Sequence, residues 1–206
     1  KDYLGTLFTL IAHKKVVDVD YAPFGEEVRT IRLYPYLLKQ YNDRWYLIGT
    51  PPANDKFDYR KNFFLNLALD RIAAVHPVEG VPFVEADEDL EERFEDIIGP
   101  SYYEKEPLTP IVIAVSNTYL GYVDTKPLHG SQIKFSPEEQ ERLHKKYPSF
   151  ADYTFYGLNL KPTRELYHTI YRNGNQILLV SPKDIRSKMV KELASSLSLL
   201  KSVKGE

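Results

Sequence analysis

The sequence predicts an α+β fold in two parts, a small β-barrel and then an interleaved set of strands and helices, with an acidic helix between them. Three observations predict it. Short segments of alternating hydrophobicity fill the first third of the chain, the period of half-buried strands. From Thr109 onward strand and helix patterns interleave. Between these regions, residues 85–107 hold 10 acidic and 2 basic side chains, whereas residues 1–84 hold 10 and 11 and residues 108–206 hold 9 and 14. The 206 residues suit one large domain or two small ones. The predicted division is a barrel domain over 1–80, an acidic linker helix over 81–107 and a second domain over 108–206.

Each element follows from local pattern. Leu4, Leu7, Phe8 and Ile11 fall at i, i+3, i+4 and i+7, which predicts an amphipathic helix. Val17, Val19 and Tyr21 alternate with Asp18 and Asp20, which predicts a strand ended by a Pro-Phe-Gly turn. "RTIRLYPYLLKQY" reads as a second strand, with Pro35 favouring an edge position or a bulge. Asn42-Asp43 can supply the positive φ angles of a tight hairpin, and "RWYLIGT" is the returning strand. In that strand Trp45 and Leu47 share one face, predicted to be core, and Tyr46 and Ile48 share the other. "NFFLNLALDRIAAVHPV" continues as extended chain to Pro77. Meandering short strands over about sixty-odd residues best suit a small closed barrel.

"EADEDLEERFEDIIG" predicts the acidic helix, with Leu90, Phe94, Ile97 and Ile98 as its apolar stripe and Gly99-Pro100 as its stop. "PIVIAVS" and "NQILLVSP" read as strands, "NTYLGYVDTKPLHGS" as mostly helix or turn, "QIKFS" as a short strand, and "DYTFYGLNLKP" as an alternating one. "TRELYHTIYRNG" predicts a helix from the N-cap Thr163 to Gly174. "PKDIRSKMVKELASSLSLL" predicts a closing helix, with Ser181 as N-cap, Pro182 at N1, and Ile185, Met189, Leu193 and Leu197 as its buried face. The order β-α-β-β-α-β plus one helix is the ferredoxin-like arrangement.

Composition excludes several functions. No cysteine is present, so disulfides, thiolate nucleophiles and cysteine-ligated zinc are ruled out, and a cytoplasmic location is expected. No apolar run reaches the ~18 residues of a membrane span. The five histidines show no metal-binding spacing, and G-x-S-x-G, P-loop and G-x-G-x-x-G motifs are absent. No catalytic residue, metal or cofactor is therefore expected, and the chain reads as a non-enzyme. A net charge of −2 does not suit a protein that coats DNA. The chain begins at Lys1, inside an amphipathic pattern, which suggests part of a longer protein.

"IRLYPYLLKQYNDRWYLIGT" followed by "LALDRIAAV" resembles the WYL domain family, named after the Trp-Tyr-Leu triplet, here Trp45-Tyr46-Leu47. "NGNQILLVSPKDIRSKMVKEL" resembles the C-terminal extension that often follows that domain. The resemblance implies an Sm-like barrel with an SH3-type strand path, then a ferredoxin-like extension. It also implies a bacterial transcription regulator in which a winged helix-turn-helix, not visible in this chain, precedes the WYL domain. The WYL domain then senses a ligand, a nucleic-acid fragment, nucleotide or other anion, and changes the DNA affinity of a homodimer.

The expected ligand-binding residues are Arg32, Lys39, Arg44 and Arg71, gathered by neighbouring strands into one anion site, with Tyr46 offering its ring or hydroxyl. Family members often carry Arg where this chain has Asn66, which marks Asn66 as a further ligand-binding position. Arg71 has a second reading, as the partner of Asp70 in bracing the barrel. Tyr21, Tyr34, Tyr36 and Tyr41 could supply stacking platforms for bases, or could be barrel packing. In the extension Tyr167, His168, Tyr171 and Arg172 lie on and beside one helix, and Lys183, Arg186, Lys188 and Lys191 give the last helix a basic face. Two other functions fit the residues: a protein-interaction or oligomerisation module with no small ligand, and an Sm-like RNA-binding regulator.

Overall fold

The computed structural model describes residues 3–52, 64–87, 89–103 and 105–203. Asn62 and Phe63 of the expected fourth strand and Glu88 of the expected acidic helix lie outside the described residues. The chain divides into two compact units, Lys1–Glu91 and Glu92–Glu206.

The first unit opens with α1 (Leu4–Ala12). Five strands follow: β1 (Val17–Tyr21), β2 (Arg29–Tyr41), β3 (Arg44–Thr50), β4 (Leu65–Ala68) and β5 (Ile72–Pro77). They form one antiparallel sheet in the order β4-β3-β2-β1-β5. Alternation sends Val17, Val19, Ile31, Leu33, Leu47 and Leu67 to one face, where α1 covers them. The helix stripe differs from expectation. Leu4, Leu7, Leu10 and Ile11 pack on the core, whereas Phe8 is 68% exposed. Leu7 is fully buried, and a sheet needs only the residues nearest it.

β2 and β3 join through Asn42 and Asp43 at φ 48° and 60°, the positive angles that a two-residue hairpin of matching twist demands. Pro35 stands in the central strand, and the register shifts between Pro35 and Leu37. That bulge is how a residue without an N–H sits in mid-sheet. Among the described residues the closed barrel expected from the sequence is not found. β4 and β5 are the two edges of the sheet, and a 3₁₀ turn, Leu69–Arg71, connects them in place of a ladder. Backbone groups near this gap find other partners: Ala22 N–H donates to Arg71 O at 2.9 Å, and Ala68 N–H donates to the Tyr21 hydroxyl at 3.4 Å.

The acidic segment is helical only in α2 (Leu90–Glu95), shorter than its apolar stripe suggests, although Ile97 and Ile98 are buried. In the second unit the order is β6 (Thr109–Ser116), α3 (Leu120–Thr125), β7 (Ile133–Lys134), α4 (Pro137–Lys146), β8 (Tyr153–Leu160), α5 (Arg164–Arg172), β9 (Ile177–Ser181) and α6 (Lys183–Ser202). The sheet is antiparallel in the order β7-β8-β6-β9. The expected strands and helices are present, and α4 is an addition. Ser181 ends β9 and Pro182 caps α6, one residue later than expected. α6 buries Ile185 and Met189 but leaves Leu193 and Leu197 half exposed, so its expected buried face stops after two turns.

Candidate functional site

The hairpin of β2 and β3 and the adjoining β4 carry the candidate site on the sheet face opposite α1. Cross-strand partners share a face, with side chains about 5 Å apart. Tyr41 stands opposite Arg44, Lys39 opposite Tyr46, and Leu37 opposite Ile48, whose other neighbour is Asn66. Lys39, Arg44, Tyr46 and Asn66 are therefore brought together in three adjacent rows. Trp45 and Leu47, between them in sequence, face the core. Arg44 Nη2 lies 3.0 Å from Asp70 Oδ2. The Tyr46 hydroxyl and then the Asp70 charge hold the Arg44 guanidinium above its usual pKa. Lys39 is half-buried, and desolvation lowers its ammonium below the ordinary lysine value. A partly desolvated lysine beside a fixed arginine and a phenol is chemistry for an anion.

Arg32 lies elsewhere on the same face. It stands seven positions from Lys39 along β2, roughly 20 Å at the usual rise. Its Nε and Nη2 each donate to Asp18 at 2.7 Å, a bidentate pair. Beside it Thr30 Oγ1 donates to Asp20 at 2.6 Å, and His76 Nε2 lies 3.1 Å from the same carboxylate. The Thr30 bond and then His76 hold Asp20 below the usual carboxylate range. Arg71 is also set apart. Its guanidinium carbon lies 4.1 Å from the centre of the Phe24 ring, and its Nε is buried with no hydrogen-bond partner. The expected Asp70–Arg71 brace gives way to Asp70–Arg44, because the 3₁₀ turn sends adjacent side chains in different directions.

The tyrosines separate similarly. Tyr21 is 6% exposed and belongs to the core, so it is no stacking platform. Its place follows from the alternation of β1, where it shares a face with Val17 and Val19. Tyr34 and Tyr36 both meet Phe83 edge-on, at 5.7 and 5.8 Å between ring centres. The Tyr36 hydroxyl donates to Val84 O at 3.0 Å, and burial pushes its pKa up to about 12. Residues 81–87 thus lie as a strap against these rings, in the stretch of face between Arg32 and Lys39. Lys14 pairs with Glu85 of the strap. Phe83 and Val84 were not anticipated; a lone Phe-Val pair amid Pro and acidic residues carries no period that would mark it.

The second unit has a concavity of its own. A cavity of about 490 Å³ opens beside α5 and α6. Tyr103, Tyr167, Tyr171, Arg164, Lys188 and Glu192 are among the residues that line it. Tyr171 donates to Glu192 Oε2 at 2.6 Å, and Lys188 Nζ sits 4.5 Å from the centre of the Tyr167 ring. The structure thus brings Tyr167, His168, Tyr171 and Lys188 to one cavity and not Arg172, Lys183, Arg186 or Lys191. Among the described residues no three His, Cys, Asp or Glu side chains are grouped to hold a metal ion, and no helix is long and apolar enough to cross a membrane.

Comparison with known proteins adds the following. No curated protein matches the chain. Among solved structures, the chain is similar to Proteasome accessory factor B/C (PafBC) of Arthrobacter aurescens at 12% identity and a TM-score of 0.33, over 97% of this chain and 27% of that one. It is also similar to a CRISPR Cas-related protein at 10% identity and a TM-score of 0.48, over 97% of this chain and 51% of that one. The chain thus spans about a quarter and about half the length of these two proteins. Residues 2–77 match the WYL domain, covering α1 and all five strands of the first unit. Residues 2–77 of the chain thus carry a WYL domain.

Proposed function

We propose that the chain is the ligand-sensing region of a bacterial, cytoplasmic transcription regulator, and that its WYL domain binds a nucleic-acid fragment, a nucleotide or another anion. The observation that carries this reading is the row of Lys39, Arg44 and Tyr46 on the sheet face opposite α1, with Asn66 beside it. The first unit is read as Sm-like with an SH3-type strand path, supported by its strand order and the 3₁₀ turn between β4 and β5. The second is read as ferredoxin-like, supported by the antiparallel order β7-β8-β6-β9. The chain works without catalysis. Bound effector favours one arrangement of a homodimer and so shifts the affinity of a DNA-binding part elsewhere in the protein.

Arg32 and Arg71 are secondary members of this site. Asp18 already matches the Arg32 charge, and Arg71 is committed to Phe24. Titration of fluorescently labelled single-stranded oligonucleotides and of free nucleotides against the chain tests the proposal. Lys39→Ala and Arg44→Ala should each weaken binding by roughly 10-fold or more, the usual worth of a charge-assisted hydrogen bond. Tyr46→Phe should cost less. Arg32→Ala should change affinity least of the four cations. Binding that Lys39→Ala and Arg44→Ala leave intact would place the anion site elsewhere.

A further inference from the structure

The cavity beside α5 and α6 of the second unit has no part in the effector site of the first. Its volume of about 490 Å³ falls within the range of small-molecule clefts. Arg164 and Lys188 bring two cations to its lining, and Glu106 and Glu192 bring two carboxylates. Among the described residues no ion pair joins either cation to either carboxylate. One of each sign is already engaged: Lys188 Nζ sits over the Tyr167 ring, and Glu192 Oε2 accepts from the Tyr171 hydroxyl. The other of each sign is open. Arg164 gives its Nε to His168 Nε2 at 3.4 Å, and its two terminal nitrogens bond to nothing among the described residues. The Glu106 carboxylate has no hydrogen-bond or ion-pair partner there either. Tyr167 is only 9% exposed, yet its hydroxyl also lacks a hydrogen-bond partner among the described residues. Burial first, and then the charges of Glu106, Asp184 and Glu192, push its pKa up, so the phenol stays a donor.

We propose that this cavity binds a zwitterion: an aromatic α-amino acid, or a short peptide with such a side chain, that keeps a free α-ammonium and a free α-carboxylate. The terminal nitrogens of Arg164 form the planar fork that takes a carboxylate bidentately. Glu106 takes the ammonium, and the charge of Glu192 adds to its attraction. Tyr103 is 47% exposed and offers its ring to the ligand's aromatic side chain. Glu106 N–H donates to Tyr103 O at 3.1 Å, which ties the ammonium's partner to that platform. Charge excludes the other classes. A nucleotide or nucleic acid would meet Glu106 and Glu192, a polyamine would meet Arg164 and Lys188, and like charges brought together at a binding surface are costly. A neutral apolar molecule would use neither of the open charges. The proposal rests on the second unit and stands whether or not the first unit binds an anion.

Calorimetric titration of the whole chain with L-phenylalanine and with phenylalanyl-phenylalanine tests it. At least one should bind with a dissociation constant below about 1 mM, and the tighter of the two tells a free amino acid from a peptide as the source. The same ligand with its carboxylate amidated, or with its ammonium acetylated, should bind roughly 10-fold or more weaker. Arg164→Gln should weaken the free ligand by a similar factor and leave the amidated one unchanged. Glu106→Gln should weaken the free ligand and leave the acetylated one unchanged. Both side chains are exposed, so neither substitution disturbs the core. Lys191→Gln, outside the cavity, should change no affinity. Failure of both ligands to bind, an acetylated ligand that binds as well as the zwitterion, or variants that weaken free and blocked ligands alike would each overturn the proposal. Oligonucleotide titration of the Arg164→Gln variant separates the two sites. Unchanged oligonucleotide binding supports a cavity of its own chemistry, and lost binding would make Arg164 part of the anion site and overturn the proposal.

Discussion

Gly49 stands opposite Pro35 in the β2–β3 ladder, at the bulge. A Cβ there would lie 2.6 Å from Tyr34 O and 3.3 Å from Pro35 Cα, both backbone atoms that cannot swing aside. Gly49→Ala should therefore destabilise the first unit by about 1–3 kcal/mol, the usual cost of overpacking. Chemical denaturation followed by the fluorescence of Trp45 measures it, since that ring packs on the same core. Sequence pattern marked Pro35 as an edge or bulge residue, but it could not show that Gly49 is the residue that meets the bulge. That pairing depends on register, which single-strand pattern leaves open. The same distinction separates the site residues. Alternation placed Trp45 and Leu47 inside and Tyr46 outside, because one strand decides it. Arg32 is held away from Lys39 by distance along β2 itself, but which partner Arg32 and Arg71 take depends on other segments, and the answer is Asp18 for one and Phe24 for the other.

At the scale of elements, strong periods were legible and weak ones were not. β1, β2, β3, α5 and the first half of α6 carry clear alternation or helical spacing. α4 does not: Pro137–Lys146 is almost wholly polar and buries no residue. Its signal lies at its start. Ser136 accepts from Glu139 N–H at 3.3 Å, and the Glu139 carboxylate accepts from Ser136 N–H at 3.1 Å, a complete capping box with Pro137 at the first helical position. Ser-Pro-Glu-Glu was thus readable as a helix start even without an apolar face. With little burial to hold it, α4 depends on this cap more than a packed helix would. Ser136→Ala should cost about 1 kcal/mol. Hydrogen exchange at the amides of Glu138 to Gln140 is the sensitive measurement, because local fraying shows there before global unfolding does. The expected barrel failed to close for a related reason: four residues of β4 run into a 3₁₀ turn, and strand count does not reveal where a ladder ends.

For the molecule as a whole, charge decides what kind of anion binding is open to it. The net charge is −2, with the acidic excess concentrated in residues 85–107. A chain so balanced cannot hold nucleic acid by a general field, so binding must come from a few placed cations. Salt dependence reads their number. For single strands the slope of log K against log salt is about −0.7 per phosphate neutralised. Lys39, together with Arg44 released from its one contact with Asp70, gives a slope of about −1.4, and Arg71, if it swings from Phe24, takes it to about −2.1. Arg32 adds nothing while Asp18 holds it. Titrations at several salt concentrations should therefore give a shallow slope near the first value. Arg44→Ala should flatten it by about one contact, whereas Arg32→Ala should leave it unchanged. A slope several times steeper would mean that a broad basic surface, which the charge distribution of the first unit does not provide, carries the binding. A slope near zero with binding retained would point to an uncharged ligand held by Tyr46 and its neighbours.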